Sequence, residues 1–108
     1  MSLEAFAALD VRVGRILRAE PNEKARKPAY KLWIDFGPMG ERRSSAQLVE
    51  RYTPADLTGR LVIAAMNLGS RSIAGFESEV LVLGVPDAEG AVVLLAPERE
   101  VPLGGRMY

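Results

Sequence analysis

The stretch Tyr30-Lys-Leu-Trp-Ile-Asp-Phe36 has apolar or aromatic side chains at its even-numbered positions and Lys, Trp and Asp at the odd-numbered ones. Successive side chains of a β-strand point to opposite faces of a sheet, so this period of two predicts a strand with one face in a core. The turn residues Gly37–Gly40 follow, and the polar stretch Glu41–Ala46 predicts a strand that returns beside the first. The fold is therefore expected to begin from a β-hairpin.

Short apolar stretches on both sides of this hairpin predict further strands. Gly14 interrupts the alternation of the first of them and predicts a bulge there, with Val11 and Val13 facing inward. The fourth strand is almost wholly apolar, as is typical of a central strand covered on both sides. The predicted flanking strands are Val11–Ala19, Leu61–Leu68, Val80–Val85 and Val92–Ala96.

Two short helical segments complete the pattern. Ser2 is placed to cap a helix that runs to about Leu9, and Leu48–Tyr52 predicts a helical turn that Pro54 ends. Five to six strands with a helical insert between strands 3 and 4 predict an all-β fold, a small Greek-key barrel of the oligonucleotide/oligosaccharide-binding (OB) type. The pattern alone also suits an SH3-like barrel.

The alternation assigns a barrel core, in which Ile34 stands at the centre of the best-defined strand. The other predicted core residues are Val13, Ile16, Leu32, Phe36, Val62, Ile63, Ala65, Leu81, Leu83 and Val93.

Composition excludes several classes of protein. The 108 residues suffice for one domain (1–108), with 48% hydrophobic residues to fill one core. The chain has neither cysteine nor histidine, so a thiolate metal site, a disulfide and the commonest general base are all absent. We therefore expect a binding protein rather than an enzyme, with no cofactor and no metal. The short apolar runs and the lack of a leader pattern predict a cytoplasmic location without membrane insertion.

Charge is balanced overall but unevenly distributed. The 14 basic and 14 acidic side chains cancel, which argues against a strongly basic, non-specific nucleic-acid binder. Residues 1–60 nevertheless carry 11 of the 14 basic side chains, so a neutral chain can present a basic face. The basic side chains concentrate in three places, namely Arg12, Arg15 and Arg18; Lys24, Arg26 and Lys27; and Arg42 with Arg43.

Four motifs in this order along the chain resemble the tRNA-binding domain family, which includes free-standing bacterial tRNA-binding proteins and appendices of methionyl- and phenylalanyl-tRNA synthetases. The motifs are DVRVGRI at Asp10–Ile16, KLWIDFG at Lys31–Gly37, YTPADLTG at Tyr52–Gly59, and NLGSR at Asn67–Arg71 followed by Gly75 and Ser78. Any one of these motifs would be weak evidence for the family, but the ordered set spans nearly the whole chain and is strong evidence.

Within that family the chain is most similar to the CsaA group of export-related chaperones from bacteria and archaea. RSSAQ at Arg43–Gln47 and the tail motif Val101–Gly104 point there, as does Glu79-Val80, where tRNA-binding members usually have Gly-Met. The resemblance implies a homodimer that binds unfolded or precursor polypeptides, with tRNA as a further partner. It also implies that the N-terminal helix (1–10) and the C-terminal tail (97–108) cross the dimer interface.

The candidate ligand-binding residues come partly from this resemblance and partly from residue chemistry. Asn67 interrupts an apolar strand, so it either contacts a ligand or fixes the following turn. Arg71 is a bidentate donor for phosphate or carboxylate, or else a solvated loop charge. Phe76 is a ligand contact or a residue tucked onto the barrel. The ligand-binding set is Lys31, Arg42, Arg43, Ser44, Asn67, Arg71, Phe76 and Ser78, and the dimer-interface set is Phe6, Val101, Leu103, Met107 and Tyr108.

Three functions remain open from the sequence. The first is a dimeric chaperone for unfolded or export-bound polypeptides. The second is a structure-reading tRNA-binding protein that uses the same barrel face. The third is an interaction module without a ligand of its own. An OB barrel alone does not choose between them, because that fold serves many functions.

Overall fold

A computed structural model describes all residues, 1–108. It contains two short helices, α1 (Glu4–Ala8) and α2 (Pro54–Leu57), and a 3-10 turn at Gly37–Met39. The longer strands are β1 (Val11–Pro21), β2 (Tyr30–Asp35), β3 (Glu41–Ala46) and β4 (Leu61–Ala65). The shorter strands are β5 (Arg71–Ile73), β6 (Phe76–Ser78), β7 (Leu81–Val82), β8 (Gly84–Pro86) and β9 (Val92–Leu94).

Five strands form one antiparallel sheet in the order β3-β2-β1-β4-β7. The sheet curls until its two edges meet, where the backbone N–H of Glu79 donates to the carbonyl of Arg43 at 2.8 Å. β5 and β6 form a hairpin between β4 and β7, and β8 and β9 form a second hairpin. This nearly closed five-stranded barrel, with α2 between β3 and β4, confirms the predicted all-β OB fold.

The β2–β3 hairpin lies where the alternation predicts it, and the even-numbered residues of β2 fill the barrel. Leu32, Ile34 and Phe36 are fully buried. β1 contributes Ile16, and β4 contributes Val62. These five predicted core residues are confirmed.

Several other predicted core residues are partly buried or exposed. Val13, Ile63 and Leu83 are only partly buried, and Leu81 and Val93 are 51% and 39% exposed. Ala65 is buried but lies outside the core cluster. The interior positions are the neighbouring residues Ala64, Val80, Val82, Val92 and Leu94. An uninterrupted apolar run does not distinguish its inner face from its outer one.

Gly14 has a different role from the predicted bulge. The pairing of β1 with β2 shifts between Ile16 and Arg18 instead. A Cβ atom at Gly14 would lie 2.6 Å from the side chains of both Ile34 and Phe36. Gly14 therefore faces the core. Because glycine has no Cβ atom, the side chains of Ile34 and Phe36 can occupy the space beside it.

Helix α1 is shorter than predicted, and Ser2 does not cap it, because Leu3 is the N-cap residue and makes no side-chain bond. None of its residues is buried. Helix α2 has a capping box: the Thr53 hydroxyl accepts from the Asp56 N–H at 3.2 Å, and the Asp56 carboxylate accepts from the Thr53 N–H at 2.9 Å. The bond that the Thr53 N–H donates to the carboxylate, together with a smaller effect of the Thr53 side chain, lowers the pKa of Asp56. None of the helices has the length or apolar character needed to cross a bilayer.

The C-terminal tail packs along the first half of β1, where β2 does not pair with it. The Gly104 N–H donates to the Val13 carbonyl at 2.8 Å, and the Met107 N–H donates to the Val11 carbonyl at 2.8 Å. Val101 and Leu103 are therefore partly buried within the same chain, whereas Met107 and Tyr108 are exposed.

Candidate functional site

A groove of about 800 Å³ opens between the β1–β2 loop, the end of β3 and the β5–β6 hairpin. Its apolar lining includes the buried Ala29 and Leu48 and the partly buried Ile73. Its rim carries four exposed cations and no carboxylate. Those cations are Lys24, Arg26, Lys27 and Arg71.

The four rim cations form no ion pair within 4.0 Å, unlike many other cations of the chain. The charge of an unpaired guanidinium or ammonium group is not neutralised by a neighbouring carboxylate. Only solvent and salt screen its attraction for an incoming ligand. The groove thus combines an apolar floor with a positive border. It fits an extended chain that carries apolar side chains and negative groups.

The β5–β6 hairpin holds Arg71 beside the groove. Its turn residues Ala74 and Gly75 have φ values of 50° and 83°, and left-handed backbone at both positions matches the twist of a two-residue hairpin. At the tip, the Asn22 amide donates to the Ile73 carbonyl at 3.2 Å. At the base, the Ser78 hydroxyl accepts from the Ser45 N–H at 3.0 Å. Bonds at both ends therefore anchor the hairpin.

A second group of cations and aromatics lies on the outer surface of β1, β2 and β3. We call it the sheet face: Arg18, Lys31, Trp33 and Arg43, with Phe76 from the hairpin. Arg18, Trp33 and Arg43 are neighbours across the three strands. The rings of Trp33 and Phe76 meet edge to face, with centroids 5.4 Å apart. The Arg18 guanidinium covers Trp33 at 4.3 Å, and that of Arg43 lies 5.4 Å from Phe76.

The structure brings only some of the predicted ligand-binding residues together. Arg71 and Ser78 line the groove. Lys31, Arg43 and Phe76 belong to the sheet face, where Phe76 is only 9% exposed and anchors the hairpin.

The other three predicted residues lie elsewhere. Ser44 is 1% exposed, and its hydroxyl has no hydrogen-bond partner, so it is an interior residue and not a surface one. Arg42 bonds to the carbonyl of the adjacent Glu41. The Asn67 amide accepts from the Asp10 N–H at 2.9 Å and donates to the Ala8 carbonyl at 2.8 Å. Asn67 therefore fixes the N-terminal segment instead of the turn that follows it, and its contact with a ligand stays a prediction.

The basic cluster Lys24, Arg26 and Lys27 was visible in the sequence as a concentration of charge, yet it was not assigned to the site. The position of these three cations in one loop is the sequence feature that could have assigned them to the site. The apolar floor was hidden, because Val82 and Val92 contribute to it from distant strands. No cluster of three or more His, Cys, Asp or Glu side chains has the arrangement of a metal site.

Several apolar side chains of the terminal segments and of the later strands are exposed. In α1, Phe6 is 40% exposed, and in the tail Met107 is 42% exposed. Leu81, Val85, Val93 and Leu95 add exposed surface, and Leu81 also borders the groove.

Comparison with known proteins assigns the family. The family model described as "Putative tRNA binding domain" matches residues 11–106. The chain belongs to this family. It is 40% identical over 107 residues to a methionine–tRNA ligase of Archaeoglobus fulgidus, a match that covers 99% of this chain but only 16% of the ligase.

Two solved structures extend the comparison. The chaperone CsaA of Bacillus anthracis superposes with a TM-score of 0.92 at 48% identity, over 100% of this chain and 98% of that one. The CsaA chaperone protein of Picrophilus torridus gives 0.91 at 39% identity, with 100% and 99% coverage. The resemblance stated from the sequence motifs is therefore confirmed.

Proposed function

We propose that this protein is a CsaA-like chaperone that holds unfolded or export-bound polypeptide segments in the groove between the β1–β2 loop and the β5–β6 hairpin. The observation that carries the proposal is the groove itself, with an apolar floor and four unpaired cations on its rim. Extended peptides bind such surfaces through apolar pockets and backbone hydrogen bonds. The similarity to two CsaA chaperones along the whole chain supports the proposal.

The chaperone acts as a homodimer in this proposal. The exposed apolar side chains give the support, because a second copy would cover Leu81, Val85 and Val93, which the barrel leaves in contact with solvent. Phe6, Met107 and Tyr108 are further exposed apolar side chains in the terminal segments, and Val101 and Leu103 are partly buried. Light scattering should give twice the chain mass of 11.8 kDa, and a monomer at micromolar concentration would reject this part.

tRNA is the second candidate ligand. The family match and the cationic rim favour it, since lysine and arginine side chains bind phosphate. We expect such binding to be residual and salt-sensitive in this chain, which is neutral overall.

A direct comparison of the two ligands tests the proposal. The purified protein is titrated with an unfolded, reduced model polypeptide and with tRNA, and its effect on aggregation of the polypeptide is followed by light scattering. We expect delayed aggregation without added nucleotide, and displacement of tRNA by saturating peptide. If the protein binds tRNA but neither binds the peptide nor delays its aggregation, the chaperone function is excluded and tRNA binding takes its place.

A further inference from the structure

The sheet face contains two carboxylates that neutralise its cations. Glu20 pairs with Arg18 and lies 3.8 Å from the Lys31 ammonium group. Glu79 lies 3.5 Å from the Nε of Arg43 and also accepts from the Arg43 backbone N–H at 3.0 Å. All three cations of this surface therefore have an anionic partner.

The aromatic rings of the same surface are also occupied. Arg18 covers Trp33 at 4.3 Å, and Phe76 meets Trp33 with its edge. Nucleic-acid bases bind OB barrels by stacking on exposed aromatic faces above a cationic track. Here the chain's own cations lie over the aromatic rings, and its own carboxylates pair with those cations.

The difference from the groove is one of pairing and not of the number of cations. Three cations of the sheet face have two carboxylates among them, whereas the four rim cations of the groove have none. A carboxylate within about 4 Å both attracts its cation and repels a phosphate that approaches it. The nearest anions thus decide which basic region accepts a negative ligand.

We propose that Glu20 and Glu79 determine ligand specificity by keeping the phosphates of nucleic acid off the sheet face. This inference rests on the proposed function, in which the groove is the binding site. Arg18, Lys31 and Arg43 form a latent phosphate-binding track along β1, β2 and β3. The two glutamates hold these cations in internal pairs and confine ligands to the groove.

The test is the double variant Glu20→Gln/Glu79→Gln. Glutamine keeps a side-chain oxygen that can accept from the Arg43 N–H, while the negative charges are removed. We expect the affinity for a single-stranded RNA to rise about tenfold or more at low salt. The slope of log K against log salt should steepen by about 0.7 for each phosphate newly bound, for a total of about 1 to 2.

The matched control is Glu89→Gln/Glu98→Gln, which removes two carboxylates outside both regions and changes the net charge equally. Glu89 and Glu98 pair with Arg51 and Arg99, respectively. A gain in RNA affinity that is no larger in the first variant than in this control would overturn the proposal, because it would reflect net charge alone. No gain in either variant would overturn it as well.

Adding Arg43→Ala to the first variant locates the gain, which should then fall by at least half. A gain that survives unchanged would place the new phosphate contacts elsewhere and contradict the proposed track. If Glu79→Gln weakens folding, Glu20→Gln alone frees Arg18 and Lys31 and should still give part of the gain. The RNA measurement does not involve peptide, so failure of peptide binding in the unaltered protein rejects the proposed chaperone function separately.

Discussion

The groove and the sheet face lie on the same barrel, and lysine and arginine line both. In the groove, Lys24, Arg26, Lys27 and Arg71 surround apolar side chains and have no carboxylate partner. On the sheet face, Arg18, Lys31 and Arg43 are paired with glutamates and stacked on aromatic rings. The two regions therefore differ in whether their cations have carboxylate partners, and not in whether cations are present.

The largest expected effect comes from the strand that supports both regions. Ile34 is fully buried in β2, so Ile34→Ala leaves a cavity and should lower the free energy of unfolding by about 2 to 5 kcal/mol. Chemical denaturation measures the loss, and peptide binding should weaken as the population of folded protein falls. A loss below about 0.5 kcal/mol would contradict the packing of β2.

Two arginine variants compare the contributions of the groove and of the sheet face to peptide affinity. Arg71→Ala removes an unpaired rim cation and should weaken binding of an acidic, apolar model peptide about tenfold, as expected for the loss of a hydrogen bond to a charged group. Its matched control, Arg18→Ala, removes a paired and 60%-exposed arginine, and should change that affinity less than twofold. Fluorescence anisotropy measures the peptide affinity of both variants. Equal losses of affinity would contradict the proposal that the groove, and not the sheet face, binds the peptide.

Ser44→Ala tests whether the inner side of β3 takes part in binding. The hydroxyl is buried without a partner, so its replacement by a methyl group should leave stability unchanged or raise it by up to about 1 kcal/mol. Peptide affinity should not change, because the side chain lies inside the barrel. A decrease in peptide affinity with unchanged stability would show that Ser44 takes part in ligand binding.

The smallest effect concerns a paired carboxylate outside both regions. Asp87 accepts from the Arg51 guanidinium at 2.9 Å, and this bond is the main reason why the pKa of Asp87 is lowered from 3.8. Since the pKa is lower in the folded state, the carboxylate contributes stability above pH 3.8 that is lost as the pH falls through the folded-state value.

Asp87→Asn should remove that acid-dependent contribution to stability, which is small because solvent screens an ion pair at the surface. Denaturation midpoints measured across this pH range compare the two proteins. An identical pH dependence of variant and unaltered protein would contradict the assignment.

Much of the fold could be predicted from the sequence, because the alternation in Tyr30–Phe36 admits only one inner face. The strands around Leu61–Ala65 and Leu81–Val82 have no such polar marker, and there the predicted core includes the outward-facing Ile63 and Leu81. The predicted ligand-binding residues lie in different parts of the structure. Arg71 and Ser78 lie on the groove, but Ser44 and Asn67 have structural surroundings that no local pattern reveals.

By itself the sequence determined the barrel class, the β2–β3 hairpin, the family motifs and the neutral net charge. These features depend on local periodicity and on residue identity. Only the tertiary structure decided which cations are free, because Arg43 and its partner Glu79 are separated by 36 residues and meet where the barrel edges close. Electrostatic pairing depends on distance in space, and that distance is set by the closure of the sheet.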